Sequence, residues 1–210
     1  MKMSWCEVYG FLKDWQTLLG ALIALAAAIL TIRVMHRQAT GEERRHKKQL
    51  RRKEMAARAQ MPDALSELSA YVLATGECLT GQSQEVPTAP TLGITTLKEV
   101  IEHIDDKAAQ RTFELVSWYQ VQRVRMIAEP PPQNEPNRGD RFYDAVLLQA
   151  YVNSLFEYAR NEEPSAPTAN PSWEEMDTAR KNTFTLRYTV QNEQMFEGLQ
   201  QIIARRHEDS

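Results

Sequence analysis

The sequence predicts an all-α fold in which an N-terminal transmembrane helix continues into a basic stalk and then an antiparallel bundle of about five helices. Three observations predict it. The stretch from Trp15 to Ile32 carries no charge, the stretch after it is strongly basic, and the remainder repeats apolar residues at helical spacing between Pro-rich breaks. No alternating run rich in Val, Ile and Thr is present to suggest a strand. With 210 residues, the chain has room for one body of ordinary size beside an anchor. It divides into a short extracytoplasmic segment (1–14), a transmembrane helix (15–35), a juxtamembrane stalk (36–61) and a helical domain (62–208).

The anchor follows from length and composition. Eighteen residues at 1.5 Å each span about 27 Å, close to the roughly 30 Å of a bilayer's hydrocarbon. Leu18, Leu19, Leu22, Ile23, Leu25, Ile29, Leu30 and Ile32 supply on the order of −4 kcal/mol of insertion free energy. A buried core helix would show a polar stripe, and here only Gln16, Thr17 and Thr31 interrupt the run, at its ends. The positive charge follows the apolar stretch and Ile32-Arg33-Val34-Met35 offers no small-residue cleavage site, so the pattern is not that of a cleaved signal peptide.

The net charge of −3 conceals a segregation. Residues 33–58 hold ten basic side chains against three acidic ones, a net of +7, which leaves −10 from Ala59 onward. Lysine and arginine close to the end of an apolar helix favour the cytoplasmic side, so the C-terminal body is expected in the cytoplasm. That topology puts Cys6 and Cys78, the only cysteines, on opposite sides of the bilayer. The residues expected to set topology and to touch anionic lipid are Arg33, Arg37, Arg44, Arg45, Lys47, Lys48, Arg51, Arg52 and Lys53. The run lacks interleaved aromatics and any reading module, so the bilayer, not nucleic acid, is the expected partner. Gly20, Ala24 and Ala28 recur at i, i+4 and i+8 and form a candidate helix-dimer face, hence a candidate homo-oligomer.

Pro62 is expected to end the stalk. Beyond it, Leu65, Leu68, Val72 and Leu79 mark a helix from Pro62 to Leu79, and a loop is expected from Gly81 to Gly93. A short helix from Thr96 to Ile104 presents Leu97, Val100 and Ile101, and Asp105 caps the next, Asp106 to Ala128. Leu115, Val116, Tyr119 and Met126 point that helix inward, and Pro130-Pro131-Pro132 stops it. The most apolar helix, Arg141 to Arg160, is expected at the centre of the core. Ser172 with Glu175 forms a capping-box pattern before a stretch carrying Trp173, Met176, Phe184 and Tyr188. A break near Gln191 to Glu193 precedes a final segment with Met195, Phe196, Leu199, Ile202 and Ile203.

Chemistry finds little support. His36, His46, His103 and His207 are scattered, and Glu99 with His103 is one turn of helix without the second copy a di-metal bundle requires. Ser117, Ser154 and Ser172 lack a nucleophile-elbow context, and no phosphate-cradling glycine loop exists. Trp118, Tyr119 and Tyr151 read as core more readily than as a ligand pocket. No cofactor, metal or catalytic residue is expected, and the chain is read as a non-enzyme.

The segments Asp14-Trp15-Gln16-Thr17-Leu18-Leu19-Gly20 and Thr31-Ile32-Arg33-Val34-Met35-His36-Arg37-Gln38 resemble the opening of a family of small proteobacterial single-pass membrane proteins. Trp118-Tyr119-Gln120-Val121-Gln122 and Leu155-Phe156-Glu157-Tyr158-Ala159-Arg160 extend the likeness. The resemblance implies a bacterial inner-membrane setting and carries over no activity and no functional residue. The leading expectation is a membrane-anchored scaffold or interaction protein whose helical domain meets a cytoplasmic protein or itself. The alternative is a holin- or toxin-like protein that perturbs the membrane through oligomerised helices.

Overall fold

The computed structural model describes residues 5–128, 138–184 and 193–207. Every regular element among them is helical: α1 (Trp5–Leu79), α2 (Thr91–Val100), a 3₁₀ turn (Ile101–His103), α3 (Asp106–Ala128), α4 (Arg138–Ala159), α5 (Trp173–Thr183) and α6 (Glu193–His207). The expected triple-proline stop, Tyr188 and most of the break at Gln191 to Glu193 lie outside the described residues. The chain forms two compact units, 1–51 and 52–210.

Pro62 does not end the stalk. It sits inside α1, which continues to Leu79. Proline removes one backbone donor, a cost of about 3 kcal/mol in a helix interior, yet leaves later i→i−4 bonds available. Burial runs through the site on both sides: Ala57 and Met61 before it, Ala64, Leu65 and Leu68 after it, are all covered. That shared face holds the helix across the proline, and the second unit accordingly opens at Arg52, ten residues before the expected boundary.

Leu79 is followed by a turn in which Gly81 adopts φ +75°. The amide of Gln82 donates to the Glu77 carbonyl at 2.9 Å and that of Gly81 to the Cys78 carbonyl at 3.1 Å, closing the end of α1. The loop ends sooner than expected, because α2 begins at Thr91 and takes in Gly93. A Cβ there would stand 2.9 Å from the Ala64 carbonyl oxygen, so glycine is what lets α2 lie against α1. The Gly93 amide donates to Glu67 Oε2 at 2.6 Å. Regular α-helix stops at Val100, and the expected last turn to Ile104 is the 3₁₀ turn.

Asp105 caps α3 as expected: its Oδ2 accepts from the Lys107 amide at 3.1 Å. The Ser165 hydroxyl also donates to that oxygen, at 2.7 Å, and this hydrogen bond leads the effects that hold the carboxyl below its ordinary pKa. α3 packs on α4, and α4 on both α5 and α6. From Phe142 to Val152 every residue of α4 is buried, as befits the centre of the core. Phe142, Phe184 and Phe196 meet there with ring centroids 5.1 to 6.4 Å apart. Ser172 and Glu175 complete the capping box of α5.

Two buried arginines order the Pro-rich loop between α4 and α5. Arg58 lies over the Tyr158 ring at 4.0 Å and donates to the Tyr158 carbonyl (Nε 3.0 Å, Nη2 2.5 Å) and to the Glu163 carbonyl at 2.8 Å. Arg111, 1% exposed, donates to the carbonyl of Pro167 at 2.8 Å and to that of Ala169. Arg111→Met removes the donors to two loop carbonyls and should destabilise the body by about 3 kcal/mol. A lower midpoint of helix loss in a thermal melt of the detergent-solubilised chain checks this. Pro62→Ala should act the other way, raising the midpoint by the equivalent of about 1 to 3 kcal/mol as the missing backbone bond is restored.

Candidate membrane anchor and interaction surface

The N-terminal helix is long and apolar enough to cross a membrane, and none of its apolar window is buried. Leu18, Leu19, Leu22, Ile23, Leu25, Ile29, Leu30 and Ile32 are all exposed, Ile23 at 69%. A core helix would have these side chains covered; in water, such a band exceeds what a monomer leaves bare. The one hydroxyl described within the run is satisfied internally, Thr31 Oγ1 donating to the Ala27 carbonyl at 2.8 Å. Gly20, Ala24 and Ala28 are exposed along one side, and a Cβ on Gly20 would meet nothing within 4 Å.

All nine basic residues assigned to topology and lipid contact are exposed. Because α1 is unbroken, the helical repeat gathers Arg33, Arg37, Arg44, Lys47, Lys48 and Arg51 within an arc of about 100°. The same repeat spaces them along the axis, Arg44 about 17 Å and Arg51 about 27 Å beyond Arg33. Electrostatic attraction is screened over roughly 8 Å at physiological salt, and ordinary tilts of up to about 40° shorten those heights by less than a quarter. Of this arc, Arg33 and Arg37 therefore lie closest to the level at which the apolar run ends. Lys47 pairs with Glu43 at 2.7 Å, an exposed contact of small worth. Arg58, counted with these charges by composition, is instead buried.

The remaining polar groups are structural in their contacts. Glu99, Glu102, His103 and Asp106 are exposed, and among the described residues no group of three or more His, Cys, Asp or Glu is placed to hold a metal. His207 is buried, its Nε2 2.9 Å from Tyr143 Oη. Asp144, buried beside Arg125, has its pKa pushed up by burial, partly offset by that guanidinium. Ser154 donates to the Tyr151 carbonyl at 2.9 Å, and Ser172 is the α5 cap. Tyr119 and Tyr151 are core, with Trp118 packed against it and Arg111 lying 4.8 Å over the Tyr151 ring. A groove of about 360 Å³ opens where Asn153, Ser154 and Glu157 of α4 face Glu174, Glu175 and Thr178 of α5.

One surface is absent from the expectations above. α3 buries Leu115, Val116, Tyr119 and Met126 as anticipated, yet Phe113 (63%), Val124 (66%) and Ile127 (57%) are exposed, with Val121 beside them. These lie on the side of the helix opposite the core. The signal was available: once the inward residues of α3 are assigned, its other large apolar residues fall on the reverse face.

No family model matches the chain, and neither curated proteins nor solved structures provide a match.

The axial spacing can be read directly. A nitroxide at position 37 should relax strongly against nickel-chelating lipid headgroups in reconstituted vesicles, and one at position 48 several-fold less. Equal relaxation would contradict the division of the basic arc.

Proposed function

We propose that this protein is a membrane-anchored, non-enzymatic scaffold, held by the apolar stretch of α1 that begins near Trp15 and carrying its acidic helical body on the cytoplasmic side. The observation that carries the reading is the uncovered apolar band from Leu18 to Ile32, followed at once by exposed basic residues. Hydrocarbon satisfies such a band, and arginine and lysine at its end hold the following chain on the inner side. A bacterial inner membrane belongs to the reading on the resemblance of residues 14–20 and 31–38. Arg33 and Arg37 act as the lipid-facing part of the basic segment, each worth about 1 kcal/mol against an anionic leaflet.

The body supports an interaction role through the apolar outer face of α3. Exposed apolar side chains grouped on one helix mark a surface that another molecule covers. Topology is tested with C-terminal fusions: a fluorescent-protein fusion should fluoresce and a phosphatase fusion should stay inactive, and the reverse pattern would refute the orientation. In-cell crosslinking followed by capture from detergent should recover the chain in covalent complexes, and recovery as monomer alone would defeat the scaffold reading.

A further inference from the structure

From the pattern of side chains on its outer face, we infer that α3 pairs with α3 of a second copy of this chain, antiparallel. The self-pairing rests on the scaffold reading above and names its partner.

Phe113, Ser117, Gln120, Val124 and Ile127 follow one another at spacings of four, three, four and three residues, the seam of a two-helix coiled coil. Phe113, Gln120, Val124 and Ile127 are exposed and Ser117 is half-buried, so the seam faces away from the body's own core. Its polar residues sit in the middle and its apolar ones toward the ends. When two such helices run antiparallel, each layer joins one position of the seam to the alternate position of the other copy. The register that sets Ser117 opposite Gln120 also sets Phe113 opposite Val124, polar against polar and apolar against apolar in those four layers, and Ile127 lies beyond them, opposite Gln110. A shift of one heptad in either direction puts Ser117 against Phe113 or Ile127. The polar pair thus specifies register, as a buried polar layer does in coiled coils.

Charge selects direction. Glu114, Val121 and Arg125 occupy one flank of the seam, and Arg125 is about half exposed even while paired to Asp144. In the antiparallel register Glu114 of one copy stands within about 3 Å, along the axis, of Arg125 of the other. A parallel pair would place the two copies of this flank on opposite sides of the seam, so that Glu114 and Arg125 do not meet across it. Opposite charges facing across the flank favour the antiparallel arrangement, an attraction that the parallel one lacks.

The test is a charge exchange in the full chain, read by sedimentation equilibrium in detergent. Phe113→Glu and Val124→Lys, each alone, place two charges against apolar side chains and should weaken dimerisation at least tenfold. Both together set the introduced carboxylate of one copy opposite the introduced ammonium of the other, in two symmetric layers, and should restore it to within about threefold of wild type. Positions 113 and 124 of one helix are about 17 Å apart along the axis, so the restoration cannot arise within a single copy. Both sites are exposed, and unchanged far-ultraviolet circular dichroism confirms that the variants fold. As a second measurement, chains carrying Ser117→Cys mixed with chains carrying Gln120→Cys should form disulfides in membranes above the wild-type level. A monomeric wild type, single variants without effect, or a double variant that stays dissociated would overturn the pairing. If the wild type is monomeric yet crosslinks to a different protein in cells, the pairing falls and the scaffold reading stands. If it is monomeric and crosslinks to nothing, both fall.

Discussion

The body of this protein depends on two guanidinium groups that take over hydrogen bonding the backbone cannot perform. The segment after α4 contains Pro164, Pro167 and Pro171, which donate no amide, and it leaves carbonyls without secondary-structure partners. Arg58 and Arg111 supply the donors from α1 and α3. A planar cation with five N–H groups suits this task, since it reaches several carbonyls at once and remains charged. The last turn of α4 gains as well: the Tyr158 carbonyl, at the negative end of the helix, accepts from Arg58. Asn161 takes a left-handed conformation with φ 63°, and the amide of Glu162 returns to the Glu157 carbonyl at 2.9 Å.

From that junction the rest of the packing follows. The Tyr158 hydroxyl oxygen accepts from the Asp105 amide at 3.1 Å, while the Asp105 carboxylate accepts from Ser165 and caps α3. One aromatic ring therefore touches α1 through Arg58, begins α3 through Asp105, and belongs to α4. Burial lifts the Tyr158 phenol above its ordinary pKa, so the hydroxyl stays protonated through the physiological range.

Helices were readable where apolar periodicity was long and uninterrupted. The core positions of α3 and α4, the capping box at Ser172 and the Asp105 cap all follow from local rules, because cap and face are set within a few residues. The failures share a cause. Pro62 and Gly93 are local signals for stopping a helix, and in each case a distant contact outweighs them: burial across Ala57 to Leu68 for the first, the backbone of Ala64 and the carboxylate of Glu67 for the second. The basic run misled in the same manner, since no local feature separates Arg58 from Lys53, and only the carbonyls some 100 residues away draw it inward. The apolar N-terminal stretch was legible because its length and lack of charge are local properties, whereas the outer stripe of α3 is visible in sequence only after the core has been assigned.

Arg58 carries a practical consequence for handling the protein. A fragment trimmed to begin at the conspicuous proline would lack Ala57, Arg58 and Met61, leaving the end of α4 without its cation and a hole against the core. Its collapse would be mistaken for dependence on lipid. A version cut just after Arg51 keeps those three groups and the whole of the second compact unit, so that stickiness in it reports on the outer stripe and not on a hole cut into the interior.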